Sequence, residues 1–318
     1  MTETIPLNAS SRIMYQEAIK EGFTCTLFGD NETILLEKDG KQFYSRGSRT
    51  STQSSVGKTI ADYKPLTKKI LTHFHLPTAK SQLVKDESDL SLLTELQFPL
   101  VMKPLSERHG KGVVVGIKSL DEAKIYFQHA EQAVLFEETL QGIEFRIVCV
   151  GYKFVAAAFR KPAHVVGDGK QTVQELIDKK NQHPWRGEGH ANNLSLIKID
   201  EQVLSYLKEQ DCDLSFVPAP GMEVYLRKTA NLSTGGEAWD VSDEVCEENR
   251  VLFEKIARVC DLNVAGIDMM CQSLKSPIYL QENAGVIEVN ASPGLRMHHF
   301  PVQGKPTNVA EKILALLI

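Results

Sequence analysis

No stretch of about eighteen apolar residues occurs in the chain, so nothing in it reads as a membrane-spanning helix. The opening MTETIPLNASSR lacks the basic start and apolar core of a secretory leader; the cytoplasm is the expected compartment and no membrane partner is expected. The six cysteines (Cys25, Cys149, Cys212, Cys246, Cys260, Cys271) form no CxxC pair. That argues against a zinc ribbon or a disulfide framework, and buried free thiols are the expectation. A basic field is also missing. The net charge of -5 and pI near 6.0 give no footprint for nucleic acid and suit a small anionic ligand. Neither HExxH nor GxSxG is present, which leaves zinc and serine hydrolysis without support. Gly57-Lys58-Thr59 imitates the end of a Walker loop, but Thr52 stands where the first glycine is required and no apolar strand precedes it, so a P-loop is rejected. Internal repeats and low-complexity tracts are absent too.

What is present is ordinary globular composition. The 318 residues are 42% hydrophobic and 24% charged, enough for two or three cores. SRIMYQEAIKEGF has helical spacing and leads to a strand, CTLF; ETILLEKDGKQFYSRG then alternates around Asp39-Gly40, a strong hairpin signal. ADYKPLTKKILTHF reads as one helix ending before Pro77. FPLVMK, VVVGI and AVLFEE are predicted strands, with a helix in SLDEAKIYFQHA. Further strands follow in EFRIVCVGYKFVAAAFRK and PAHVV, and the spacing of Thr172 and Glu175 predicts a capping box. NQHPWRGEGHANN is irregular and fits either a surface excursion or a substrate loop. ENRVLFEKIARVCDL is an amphipathic helix, AGIDMM and GVIEVN are strands, and Asn308 with Glu311 can cap a closing helix.

In VIEVN the period of two puts Glu288 and Asn290 on one face. Asp268 sits in AGIDMM among apolar neighbours, where a carboxylate needs a cation or a donor. Each alone also fits a strand's wet face. Together they are the few hard oxygen donors that a magnesium nucleotide site requires. Lys103 ends a strand, and Gly110 and Gly112 would let backbone N–H groups approach phosphate, although GKG also fits a plain hairpin. In YLRKTANLSTGG, Arg227 and Lys228 precede small residues that either hold an anion or make a tight turn. Arg160 and Arg296 are further candidate cations.

The ordered set LVMKPLSERHGKGVVVGI, LFEETLQGIEFRIVCV, RKPAHVVGDGKQTVQELID, RGEGHANN, VYLRKTANLSTGG, VAGIDMMC and VIEVNASPGLRMH resembles the ATP-grasp part of cyanophycin synthetases, over Phe98 to Gly304. It is similar, less closely, to the glutathione synthetase part of bifunctional glutathione-forming enzymes. The resemblance implies an α+β ATP-grasp fold with the nucleotide between two α+β subdomains and a short N-terminal α/β unit. The expected domains are 1–62, a small subdomain over 63–145, and a large subdomain over 146–318 with an insert at 163–220. It further implies that Lys64 and Lys103 reach phosphates and that the 106–112 loop, with Ser106, His109, Gly110 and Gly112, closes as a lid. Glu137, Glu138 and Leu140 would contact adenine, Glu144 the ribose, and Asp268, Glu288 and Asn290 magnesium or manganese. Arg227 and Arg160 would be catalytic, and Arg227, Asn231, Ser292, Gly294 and Arg296 would meet substrate.

The implied enzyme is an ATP-dependent ligase forming C–N bonds between an amino acid or small peptide and an amine through an acyl phosphate, releasing ADP and phosphate. A non-catalytic nucleotide-binding regulator and a small-molecule kinase are the competing readings. Cyanophycin synthetases carry a second, Mur-type ligase domain with its own P-loop, which is missing from this sequence, so a single reaction is expected. A homo-oligomer is expected by the same likeness.

Overall fold

A computed structural model describes residues 7–30, 32–105, 112–188 and 192–318, and the chain divides into two compact units. The first comprises Met1–Ser51, Ala156–Val241 and Gly294–Ile318; the second comprises Thr52–Val155 and Ser242–Pro293. Helices and largely antiparallel sheets make up both, the α+β composition that the resemblance implied.

The first unit begins with α1 (Ala9–Lys20), whose Asn8 cap accepts the Ser11 N–H at 3.0 Å and so satisfies one donor that helix geometry orphans. Ile13, Met14 and Ala18 are its buried positions. Next comes a meander of β1 (Thr24–Leu27), β2 (Thr33–Lys38), β3 (Lys41–Arg46) and β4 (Arg49–Thr50). The β2–β3 turn falls at Asp39-Gly40, with φ of 51° and 74°, the left-handed pair that a two-residue hairpin turn of this twist demands.

The second unit opens with α2 (Ser55–Asp62) and α3 (Lys64–His73), where the pattern predicted one helix. Tyr63 is extended between them because Pro65 has no N–H to donate and its ring would collide with the carbonyl four residues back. Gly57 is helical and pressed against the main chain: a Cβ there would lie 2.1 Å from the Asp261 carbonyl oxygen. The Walker-like tripeptide is therefore a helix-packing contact. A four-stranded antiparallel sheet follows, with order β5 (Ser81–Val84), β8 (Val134–Glu138), β6 (Leu100–Pro104) and β7 (Val114–Ile117). Helix α4 (Leu120–Gln128) precedes β8 (Val134–Glu138), and Leu93, Leu100, Met102, Ile117 and Phe136 fill the core. Strand β9 (Ile143–Val150) then turns at Gly151-Tyr152 into β10 (Lys153–Lys161), which carries the chain into the first unit.

There β11 (His164–Val166) leads to α5 (Val173–Asn181), where the predicted Thr172–Glu175 capping box forms reciprocally. Short strands β12 (Arg186–Gly187) and β13 (Leu194–Ser195) pair in parallel. The buried Arg186 donates to the carbonyls of Ser195 and Gly235 and to Glu237, so the described part of NQHPWRGEGHANN is tied down. Helix α6 (Glu201–Glu209) and strand β14 (Glu223–Tyr225) close a core that includes Val165, Val173, Ile177, Val203 and Val224. β15 (Glu237–Asp240) pairs with the Ala158–Lys161 end of β10.

In the second unit, α7 (Glu247–Val259) is followed by β16 (Val264–Cys271) and β17 (Gly285–Asn290), with β16 antiparallel to both β9 and β17. The first unit ends with α8 (Arg296–His299) and α9 (Val309–Leu314), the latter capped by Asn308 on the Glu311 N–H as predicted. Among the described residues no helix is long and apolar enough to cross a membrane.

Because the Gly57 contact is to main chain that cannot swing aside, Gly57→Ala should destabilise the protein by about 3 kcal/mol in urea unfolding, in the range of overpacked sites.

Candidate active site

Strand register builds the site in the second unit. Asp268 on β16 lies opposite Arg146 on β9 and opposite Glu288 on β17, so the three side chains share one sheet face. Arg146 grips Asp268 with both ends of its fork: Nε donates to Oδ1 and Nη2 to Oδ2, the latter at 2.9 Å. Asp268 is 3% exposed and Arg146 8%. Asn290, two residues along the same face of β17, donates from Nδ2 to Glu288 Oε1 at 3.2 Å.

A second cluster lies on α3, β6 and β8. Glu137 Oε2 accepts from Lys103 Nζ at 2.7 Å and ion-pairs with Lys68 Nζ at 3.2 Å. Lys68 also donates to the Val286 carbonyl of β17 at 2.9 Å, which fastens α3 to the strand bearing Glu288. Burial pulls the Lys68 ammonium down to about 8 against the pull of Glu137. Burial alone would raise the Glu137 carboxyl, but Lys68 and Lys103 outweigh it and hold the group below its ordinary value.

The other expected nucleotide residues are scattered along the same unit. Lys64 is the half-buried first residue of α3, one turn before Lys68. Glu138 accepts the Gln97 N–H at 3.0 Å, Leu140 is half-buried after β8, and Glu144 is half-buried in β9. Gly112 has φ of 71°, a left-handed conformation that favours glycine. Ser106, His109 and Gly110 lie outside the described residues.

The expected arginines belong to the first unit. Arg227 lies just past β14, and its guanidinium is engaged by Asp200 at 2.6 Å and by Gln202 at 2.8 Å, which anchors it to the first turn of α6. Arg160 is half-buried in β10, Asn231 precedes a short 3-10 turn, and Arg296 opens α8 and is buried. Gly294 is half-buried in that unit, and Ser292, in the second unit, is exposed.

Lys68 and Arg146 went unread in the sequence, although each left a signal. Lys68 occupies a buried position of α3, three residues before the core residue Leu71, and Arg146 interrupts the apolar run of β9.

Two carboxylates and one amide oxygen are a hard donor set suited to magnesium. A carboxylate has about four lone-pair positions, so Asp268 can accept from Arg146 and still meet a cation. Among the described residues no group of three or more His, Cys, Asp or Glu side chains gathers as a metal cluster, so Asn290 would be needed to complete this set.

Residues 173–317 match the RimK-like ATP-grasp domain. Over 98% of its length the chain is 36% identical to the cyanophycin synthetase of Nostoc sp. and 38% identical to that of Synechocystis sp., covering 35% and 36% of those proteins. It is 29% identical to the glutathione biosynthesis bifunctional protein GshAB of Clostridium perfringens, over 98% of this chain and 41% of the relative. The crystal structure of a bifunctional glutathione synthetase from Pasteurella multocida matches with a TM-score of 0.79 and 29% identity, covering 98% of this chain and 43% of that one. The chain thus spans less than half the length of these relatives.

Removing Asp268 strands a buried guanidinium, so Asp268→Ala should cost about 3–5 kcal/mol in urea unfolding. Replacing Arg146 by Met in the same chain should return most of that loss.

Proposed function

We propose that this chain, an ATP-grasp protein by its fold and its RimK-like domain, is an ATP-dependent carboxylate–amine ligase. The observation that carries the reading is the row Arg146–Asp268–Glu288 with Asn290, joined through Val286 and Lys68 to the Lys103–Glu137 pair. A carboxylate takes the γ-phosphoryl group of ATP and an amine then displaces phosphate, giving an amide and ADP. Magnesium, when bound, neutralises charge on the phosphoryl oxygens, and Asp268, Glu288 and Asn290 would hold it. Arg146 fixes the direction in which Asp268 presents its oxygens. Lys68 and Lys103 offer cations to phosphate, and Glu137 keeps them together. Lys64, Glu138, Leu140, Glu144 and Gly112 complete the nucleotide contacts in this reading, and Arg160 and Arg227 stabilise the carboxylate and the tetrahedral oxyanion. For Arg227 that role means exchanging Asp200 for substrate.

The substrates in this proposal are an amino acid or short peptide and an amine. Six free cysteines support a reducing, cytoplasmic setting, and a homo-oligomer is the proposed assembly. The functional subdomains are proposed as 63–145 and 146–318.

ADP and phosphate should appear only when carboxylate and amine are both supplied; AMP and pyrophosphate would overturn the mechanism, and a stable phosphorylated product would make the protein a kinase. Glu288 is less buried than Asp268, so Glu288→Gln should lower kcat by about 10²–10³ while leaving unfolding stability within about 1 kcal/mol, which separates chemistry from folding. Lys68 is cationic below about 8 and neutral above it, so ATP affinity measured by calorimetry should weaken as pH rises from 7 to 9. Lys68→Arg should flatten that dependence.

A further inference from the structure

The N-terminal sheet of the first unit runs β1–β2–β3–β4, so among the described residues β1 has a neighbouring strand on one side only. Which of its peptide groups face the free side follows from the β2–β3 turn. A two-residue hairpin is closed by a pair that exchanges both of its hydrogen bonds, and here that pair is Lys38 and Lys41. Bonding then alternates along the strand: Lys38, Leu36 and Ile34 bond towards β3, and Glu37, Leu35 and Thr33 towards β1. Thr24 lies opposite Glu37 and Thr26 opposite Leu35. The N–H and C=O groups of Thr24 and Thr26 therefore serve β2, and those of Cys25 and Leu27 point outward. The other side of the sheet obeys the same alternation, the outward carbonyl of Tyr44 accepting the Ser51 N–H at 2.8 Å.

Nothing guards the β1 edge. Sheet edges are ordinarily blunted by a charge, a proline or a bulge. Thr24-Cys25-Thr26-Leu27 has no charge and no proline, and its register with β2 is unbroken. Thr24, Thr26 and Leu27 are exposed. Ile34 and Leu36 turn into the core, so Thr26, Leu35 and Tyr44 share the opposite face. There Phe28 and Tyr44, 56% and 52% exposed, extend the uncharged patch with ring centroids 6.3 Å apart.

The strand that matches this edge is a second β1 running antiparallel to the first. Under a two-fold axis normal to the sheet each residue keeps its face, so odd positions pair with odd and even with even. Pairing Cys25 with Leu27 of the second copy, and Leu27 with its Cys25, satisfies both outward N–H and both outward C=O groups of each strand. Centring the axis on Cys25 instead calls on Phe23, whose N–H is already given to the Ala18 carbonyl at 2.9 Å. Centring it on Leu27 calls on Gly29, whose φ of 82° is not extended. No charged residue lies between Glu21 and Asp30, so the two strands meet without like charges in register.

We propose that two copies of this chain join β1 to β1 as antiparallel edges, making one continuous sheet with Thr26 facing Thr26 across the two-fold axis. That pair is of the non-hydrogen-bonded kind, in which Cα atoms lie about 4.5 Å apart and Thr side chains favour each other. The interface rests on the homo-oligomer reading for the presence of a second copy and gives that reading a surface.

Sedimentation equilibrium of the full chain should show self-association. T26K sets like charges opposite each other on an exposed face and should weaken it by at least about 10-fold. L27P deletes an outward N–H that β2 does not use and should weaken it similarly, since edge strands tolerate proline. Under mild oxidation T26C should cross-link two copies to an extent the wild type does not, because about 4.5 Å lies within the Cα span of a disulfide, whereas T24C should not. A wild type that is monomeric at every concentration overturns the proposal together with the homo-oligomer reading, and leaves the edge to a strand of another protein. An oligomer unchanged in both T26K and L27P, or cross-linked through T24C and not T26C, overturns the interface alone. T26K and T26C alter an exposed side chain, so a poorly folded L27P does not block the test.

Discussion

Arg146 places a full positive charge inside β9, where neighbouring residues are buried and apolar, and a charge so placed persists only if a carboxylate is held against it. Asp268 meets that need from the directly opposite position of β16. The pairing also disciplines the strands: a slip of one residue would turn Asp268 to the other sheet face and leave both charges uncompensated. Once β9 and β16 are locked in this register, the β16–β17 ladder sets Glu288 beside Asp268 and Asn290 one step along the same face. The proposed metal donors thus owe their positions to a cation that is not one of them.

The same strand links this row to the lysines. Val286 of β17 accepts from Lys68, Lys68 meets Glu137, and Glu137 meets Lys103. Arg146, Lys68 and Lys103 face Asp268, Glu288 and Glu137, so the formal charges of the six groups cancel. A balanced site of this kind accepts a dication best together with an anion of equal or larger charge, the combination a magnesium nucleotide brings. In the first unit the bookkeeping differs. Arg227 and Arg186 are matched by Asp200 and Glu237, and Arg296 is left facing a cavity. Paired in this way, Arg227 and Arg186 fasten the segments that carry them.

Features that depend on a few consecutive residues were legible in the sequence. Asp39-Gly40 turns a hairpin, Thr172 and Glu175 close a capping box, Asn308 caps α9, and the alternation of VIEVN puts Glu288 and Asn290 on one face. The ordered motifs also carried the ATP-grasp likeness, because they sample most of the chain at fixed order. The helix break at Tyr63 could have been read from Pro65 but was masked by the longer apolar pattern around it.

What the sequence determined by itself is local: which residues turn, cap and alternate, because those preferences act over a few peptide units. Which lysine of α3 turns inward was decided by packing, since Lys64 and Lys68 are one helical turn apart and both fit a helix; only Lys68 reaches Glu137. The partner of Asp268 was decided by strand register between residues 122 positions apart, which no periodicity encodes. Arg227 and Arg296 look alike as isolated cations, and the difference between them, a carboxylate at 2.6 Å for one and a cavity for the other, exists only in three dimensions. The energy of a charge depends on what surrounds it, and the surroundings are assembled by the fold from distant parts of the chain.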